Sequence, residues 1–250
     1  MTVPSLRADD FRVAAWSGLT DPAALQAVAE APFDVVVLDM QHGLHDVASI
    51  HKGIAMVTAA GKPTVVRVPL GELGTVSRAL DFGAAGIILP MIESAEDARA
   101  FVAVAKYAPL GQRSFGPAQA VRVHGYPDAR TYMEGANAAT LTIAMIETQS
   151  AYRDLDAILG VEGLDGVLVG PADLSIALTG RLDADGEAVL EAAGEIARKA
   201  KAAGKLASIY VSGRAAAARA KAQGFDLACS QVDDATDAAA ASRRAAELRG

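Results

Sequence analysis

Cysteine is almost missing from this chain: Cys229 is the single one in 250 residues. That excludes a disulfide framework within the chain and any metal site built from clustered thiolates. Cys229 lies in a strand-like run and reads as a small core residue. Long apolar stretches are missing as well. The longest, Ala84 to Ile92, is far short of the roughly 20 residues that span a bilayer. The first eleven residues contain two aspartates and no apolar run, so no secretory signal is expected and a cytoplasmic location is. Positive charge is in deficit: 23 Lys and Arg face 30 Asp and Glu, giving a net charge of −7 and a pI near 5.1. With no basic stripe and no interleaving of basic and aromatic residues, nucleic acid and anionic membranes are poor candidates as main partners. No Gly-x-Gly-x-x-Gly turn follows the first strand-like run, which removes the usual dinucleotide site.

What the chain has is apolar residues in a regular rhythm. They make up 52% of it, and the mean hydropathy is +0.24. A large core together with a buried subunit interface accounts for such values. Strands are expected at 12–16, 35–39, 64–68, 86–89, 141–147, 166–169, 206–210 and 226–230, where β-branched and apolar residues run together. Between them lie Ala-rich segments of helical spacing, at 22–29, 47–60, 74–82, 95–105, 151–159, 187–203, 213–223 and 236–248. Asp21-Pro22 is a good N-cap and first-turn pair. Gly61, Gly83, Gly204 and Gly224 each follow a helix, where a left-handed cap is needed. Eight strand–helix units with uninterrupted apolar strands imply an α/β fold, a single (β/α)8 TIM-type barrel over residues 1–250. An open, doubly wound sheet is the other arrangement compatible with the pattern. One connection breaks the rhythm. Residues 106–140 form a long loop insertion before strand five, with a short helix expected near 128–137.

A parallel barrel keeps its chemistry at the C-terminal ends of its strands. There the chain places Trp16, Asp39, Arg67, Pro90 and Glu147, and Asp173 in the loop Gly170–Ser175 after strand six. Glu147 and Asp173, at the same end of neighbouring strands, would stand side by side and could hold a divalent cation. Asp39, three positions before His42, could orient its imidazole for proton transfer. Arg67 in an apolar strand needs a counter-ion, or else an oxyanion to grip. His45, His51 and His124 read as surface or loop residues, and of these only His124, in the long loop, is a candidate for substrate contact. None of the seven lysines ends a strand. Lys62 and Lys205 precede strands and so belong to the opposite end, which argues against a Schiff-base aldolase. Carbanion chemistry here would need a metal as electron sink.

From about Arg12 to the C-terminus the chain resembles the class II, metal-dependent pyruvate aldolases of the HpcH/HpaI family. The resemblance rests on the Trp16 strand, Asp39-x-x-His42, Val66-Arg67-Val68-Pro69 and Leu80-Asp81-Phe82-Gly83-Ala84. It continues through Leu89-Pro90-Met91, Glu147-Thr148, Val161-Glu162-Gly163-Leu164-Asp165-Gly166-Val167 and Gly170-Pro171-Ala172-Asp173-Leu174-Ser175. What it implies is reversible cleavage of 4-hydroxy-2-oxo acids to pyruvate and an aldehyde through a metal-stabilised pyruvate enolate. Glu147 and Asp173 would hold Mg²⁺ or Mn²⁺, with Co²⁺ or Zn²⁺ as substitutes. Gly170, Pro171, Ala172 and Trp16 would bind substrate, Arg67 would stabilise the enolate oxygen, and His42 with Asp39 would move the proton. The resemblance also implies a hexamer built as a trimer of dimers; Arg113, Phe115 and Arg122 in the long loop are candidates either for contact with the acceptor aldehyde, from the same or an adjacent subunit, or for a subunit interface. Two positions depart from the family's pattern: Gln41 stands where many members have Glu, and Met145 where many have Gln. Both bear on acceptor preference. Competing expectations are an oxaloacetate decarboxylase, a lyase acting on CoA thioesters, and a non-catalytic barrel that binds a 2-oxo acid.

Overall fold

The computed structural model describes residues 10–234 and 237–250. Its eight strands are β1 (Arg12–Ser17), β2 (Val35–Asp39), β3 (Thr64–Arg67), β4 (Gly86–Leu89), β5 (Leu141–Ile146), β6 (Gly166–Val169), β7 (Leu206–Tyr210) and β8 (Leu227–Gln231). All pair in parallel in chain order, and β8 closes on β1 through the register Arg12 to Leu227 and Trp16 to Gln231. The fold is therefore a closed eight-stranded α/β barrel. The helices are α1 (Pro22–Glu30), α2 (Val47–Ala59), α3 (Leu73–Phe82), α4 (Ala95–Ala105), α5 (Ala118–Val123), α6 (Ala129–Ala139), α7 (Gln149–Arg153), α8 (Leu155–Leu159), α9 (Pro171–Thr179), α10 (Glu187–Ala202), α11 (Arg214–Ala222) and α12 (Ala238–Arg249).

Side chains alternate along each strand, so the apolar core divides in two. Val13, Ala15, Val36, Leu38, Val66 and Ile87 point outward and pack under the helices. Ala14, Trp16, Val35, Val37, Val65, Ile88, Ile143, Met145, Leu168 and Cys229 fill the barrel itself. Cys229 is fully buried, and burial pushes its thiol up to about 12, as expected of a core residue. Gly61, Gly83, Gly204 and Gly224 all take positive φ at helix ends.

Three expectations need correction. Residues 151–159 form two short helices, not one. The chain turns at Asp154, whose Oδ2 accepts the Ala95 N–H at 2.8 Å and so caps α4. Second, Gly170–Ser175 is the first turn of a helix, α9, and not a loop. Gly170 is its N-cap, Pro171 fits the first helical position, and Gly180 at φ 72° ends it. Last, α12 starts at Ala238; Thr236, expected to open it, lies outside the described residues. The long connection contains both α5 and α6, and only the second was expected.

That connection stays at the lower end, where the strands begin. Arg113 Nη2 donates to Asp81 Oδ1 at 2.5 Å, and a ring nitrogen of His124 meets Gly83 O at 2.9 Å. Tyr107, Ala120, Tyr132 and Ala136 form a small apolar cluster of their own. The buried Lys106 donates to Asn137 O at 2.8 Å and Thr140 O at 2.5 Å, and pairs with Asp165 at 2.7 Å. Around the same rim Asp34, Asp165 and Asp226 accept the second amides of strands, from Val13, Thr142 and Ala207, at 2.8, 3.0 and 2.9 Å. Lys62 and Lys205 also lie here, bonded to backbone carbonyls that include Ala31 O and Leu164 O. The buried charge of Lys106 is fully partnered here, while Tyr107 OH, Arg113 Nε and His124 Nδ1 are buried without a partner among the described residues.

Candidate active site

The inward phase of the strands continues past their last apolar residues. Trp16, Asp39, Arg67, Tyr210 and Gln231 are the next inward positions after Ala14, Val37, Val65, Ser208 and Cys229. Together with Gly18, His42, Gly43, Met145, Gly170, Pro171, Ala172, Asp173 and Asp233 they line a cavity of about 260 Å³ at the upper mouth.

Asp39 organises one side. It faces Arg67 directly across β2 and β3 and receives its guanidinium bidentately, Nε to Oδ1 at 2.8 Å and Nη2 to Oδ2 at 2.5 Å. The Trp16 indole donates to Oδ2 at 3.2 Å, and the Gln41 amide donates to Oδ1 at 2.9 Å. Burial alone would raise this carboxyl, but the Arg67 guanidinium, helped by the Gln41 amide and the Trp16 indole, holds it below the usual carboxylate range. The guanidinium carbon sits 4.8 Å from the centre of the Trp16 ring. Arg67 is therefore paired, stacked and fixed in place. Its Nη1 takes no hydrogen-bond partner among the described residues.

The pairing of Asp39 with the His42 imidazole, expected from their spacing, is not made. Asp39 reaches only the His42 backbone N–H, at 3.4 Å, because Arg67 and Trp16 occupy its side-chain oxygens. His42 lines the cavity with its ring exposed and without a hydrogen-bond partner among the described residues. His45, expected at the surface, is buried. It meets Ser49 Oγ through Nδ1 at 3.2 Å, while Nε2 is buried without a partner, and burial lowers its pKa. His124 is buried at the lower end, which removes it from the substrate candidates.

Across the barrel stands Glu147, 2% exposed. Its Oε1 accepts the Met91 amide at 2.8 Å. Met91 has φ 53°, the one positive value outside glycine among the described residues, so the backbone is held in a costly conformation that turns this N–H onto the carboxylate. Oε2 lies against Gly170, where an added Cβ would come within 2.7 Å of it. Burial raises the Glu147 pKa and the nearby Asp173 charge raises it further, while the Met91 N–H and Arg67 act in the opposite sense. Asp173 occupies the first turn of α9, where the helix leaves backbone N–H groups free and favours negative charge. Two carboxylates, one of them buried at a cost, form a donor set that a divalent cation would relieve. Among the described residues no third His, Cys, Asp or Glu joins them, so water and a chelating ligand would supply the remaining positions.

Phe115 and Arg122 do not reach this cavity within one chain. Phe115 is 53% exposed and packs on Tyr107 at the lower end, and Arg122 is exposed on α5. The strand-end reading stopped at strand six, and so it missed Gln231 and Asp233 and gave Tyr210 no role. The period-two phase of β7 and β8 pointed to Tyr210 and Gln231.

Residues 12–233 match the family described as HpcH/HpaI aldolase/citrate lyase. A relative from Roseovarius nubinhibens, named hydroxypyruvate/pyruvate aldolase, is 35% identical over 82% of this chain and 79% of its own length. One of the same name from Rhizorhabdus wittichii is 33% identical over 95% of this chain and 94% of its own. The crystal structure of an HpcH/HpaI aldolase from Desulfitobacterium hafniense superposes with a TM-score of 0.83 at 29% identity, covering 90% of this chain and 88% of that one.

Proposed function

The chain belongs to the HpcH/HpaI aldolase/citrate lyase family of carbon–carbon lyases, and on that premise we propose that it is a divalent-metal-dependent aldolase that reversibly cleaves 4-hydroxy-2-oxo acids into pyruvate and an aldehyde. One observation carries the reading. A carboxylate pair, the buried Glu147 and the exposed Asp173, shares the mouth of the barrel with a guanidinium locked by Asp39 and Trp16. Glu147 and Asp173 would hold Mg²⁺ or Mn²⁺, with Co²⁺ or Zn²⁺ as substitutes. When bound there, the cation supplies a Lewis acid that draws charge from the 2-oxo group.

The chain's own groups account for the remaining requirements. The free amides at the start of α9 receive the substrate carboxylate, as a helix N-terminus does for anions. Arg67 turns Nη1 to the 2-oxo oxygen and takes up the charge that grows there as the C3–C4 bond breaks. It needs no reorganisation to do so, because Asp39 and Trp16 already hold it. His42, whose ring no protein group engages among the described residues, accepts the 4-hydroxyl proton as the aldehyde departs. The bonding electrons move to C2–C3 of the pyruvate enolate, which then takes a proton at C3. Oxaloacetate would be decarboxylated by the same groups as a side reaction. A CoA thioester is disfavoured, because among the described residues Arg67 is the one Lys or Arg lining the cavity and Asp39 already neutralises it. Phe115 and Arg122 could touch an acceptor only across a subunit boundary, as in the trimer of dimers that the resemblance implies.

Pyruvate methyl-proton exchange in D₂O, followed by NMR, tests the reading without knowledge of the aldehyde. EDTA-treated protein should be silent, added Mg²⁺ or Mn²⁺ should start exchange, and Glu147→Ala should abolish it. Silence under every metal, with no product from pyruvate and a panel of aldehydes, would sink the proposal.

A further inference from the structure

Three strands on from Glu147 around the closed barrel, β8 and the loop after it meet β1. There the mouth carries a polar chain that the steps above leave unused. The Tyr210 hydroxyl donates to Gln231 Oε1 at 3.4 Å, Gln231 Nε2 donates to Asp233 Oδ2 at 2.8 Å, and the Gly18 amide donates to Asp233 Oδ1 at 2.8 Å. Tyr210 is set by an edge-on contact with Trp16, with ring centres 5.5 Å apart. All five residues line the cavity.

The charge balance of this wall is one-sided. Asp233 accepts only from neutral donors, and among the described residues no Lys or Arg pairs with it. Elsewhere in the lining Asp39 and Asp173 are acidic, and Arg67 is bound to Asp39. A carboxylate or phosphate on the incoming aldehyde would meet Asp233 with no unpaired Lys or Arg among the described residues of this lining to offset it. A hydroxyl group, by contrast, can donate to Asp233 or to Gln231 Oε1, and it can accept from the Tyr210 hydroxyl.

We infer that Gln231 and Asp233 form the recognition wall for the aldehyde half of the substrate, and that this half is uncharged and hydroxylated. The inference rests on the aldolase reading and names its substrate class: 4-hydroxy-2-oxo acids whose C4 carries a hydroxylated carbon chain in place of an acidic one. A polar wall of this kind gains from each hydroxyl it bonds and leaves its own groups unpaired when the hydroxyl is missing.

The test measures kcat/KM for condensation of pyruvate with glyceraldehyde, propionaldehyde and succinic semialdehyde, in wild type, Asp233→Asn and Gln231→Leu. Asparagine keeps an acceptor for the Gly18 amide and removes the charge, together with the oxygen that accepts from Gln231 Nε2. Wild type should rank glyceraldehyde first and succinic semialdehyde last. Asp233→Asn should move the ratio of succinic semialdehyde to glyceraldehyde up by about tenfold. Gln231→Leu should lower the ratio of glyceraldehyde to propionaldehyde by about tenfold. A wild-type preference for succinic semialdehyde, or ratios unchanged in both variants, overturns the wall. Methyl-proton exchange by the wild type keeps the two readings apart: exchange without these aldehyde ratios rejects the wall alone, while no exchange and no condensation removes the aldolase reading with it.

Discussion

At the lower end of the barrel Lys106 is 1% exposed, and at the upper end Glu147 is 2% exposed. The two buried charges are treated in opposite ways. Lys106 finds Asn137 O, Thr140 O and the Asp165 carboxylate. Glu147 finds one backbone amide, from a strained Met91, and a second carboxylate nearby that makes ionisation harder. Aspartates tie down strand amides below, whereas above, the His42 ring is left without a partner among the described residues. A fold can stabilise itself by completing the hydrogen bonds of its buried charges, and it can make a reactive site by leaving them incomplete. Here the buried Lys106 is the completed case and the buried Glu147 the incomplete one.

The strongest way to break the contrast is Asp173→Ala. It should abolish metal-dependent methyl exchange while the thermal unfolding curve stays cooperative; ordinary turnover would remove the cation assignment. At the opposite end, Lys106→Met takes the cation from Asp165 and the donor from two carbonyls. It should cost about 3–5 kcal/mol in urea unfolding, with exchange per folded molecule retained. Next comes Arg67→Ala, which should lower kcat by ~10²–10³ with a smaller change in KM, because its interaction grows with the developing charge. An effect confined to KM would show a purely ground-state role.

Two smaller effects sharpen the comparison. The Glu147 pKa is raised, so its contribution to stability is present below the ordinary glutamate value and is lost as pH rises through its folded value. Glu147→Gln should therefore unfold at equal or higher urea than wild type at neutral pH when no metal is present, a gain that disappears in acid. Lower stability at neutral pH would mean that the carboxylate is better satisfied than its surroundings indicate. His45 and His124, one near each end, both have pKa values lowered from 6.5, chiefly by burial. For each, the unfolded chain takes up a proton that the folded one resists, so stability falls as pH drops below about 6.5. Urea midpoints between pH 7 and pH 5 should slope less in His45→Asn and in His124→Asn than in wild type.

Much of the site is legible in the sequence. Glu147, Asp39 and Arg67 stand where an apolar strand stops, and in a parallel barrel every strand stops at the same end. The same phase argument extended to β7 and β8 would have found Tyr210 and Gln231. Gln231 was missed because its strand runs one residue further than its apolar core suggests. Gly170-Pro171 looks like a turn and puts Asp173 in a loop; only the apolar residues after it reveal a helix.

What the chain's order and composition determined alone were the eight-fold alternation, the end of the barrel that carries chemistry, and the carboxylates that line it. Periodicity and strand direction are local properties, set by which side a residue faces and where its run ends. Tertiary structure decided who bonds to whom. Asp39 went to Arg67, 28 positions away, instead of the ring of His42, three positions away, because β2 and β3 lie side by side and point both side chains into the same small space. It also held the long connection at the lower end and carried Asp233 across to Gly18, 215 positions earlier in the chain. Such contacts depend on closure of the barrel, which no short stretch of sequence encodes.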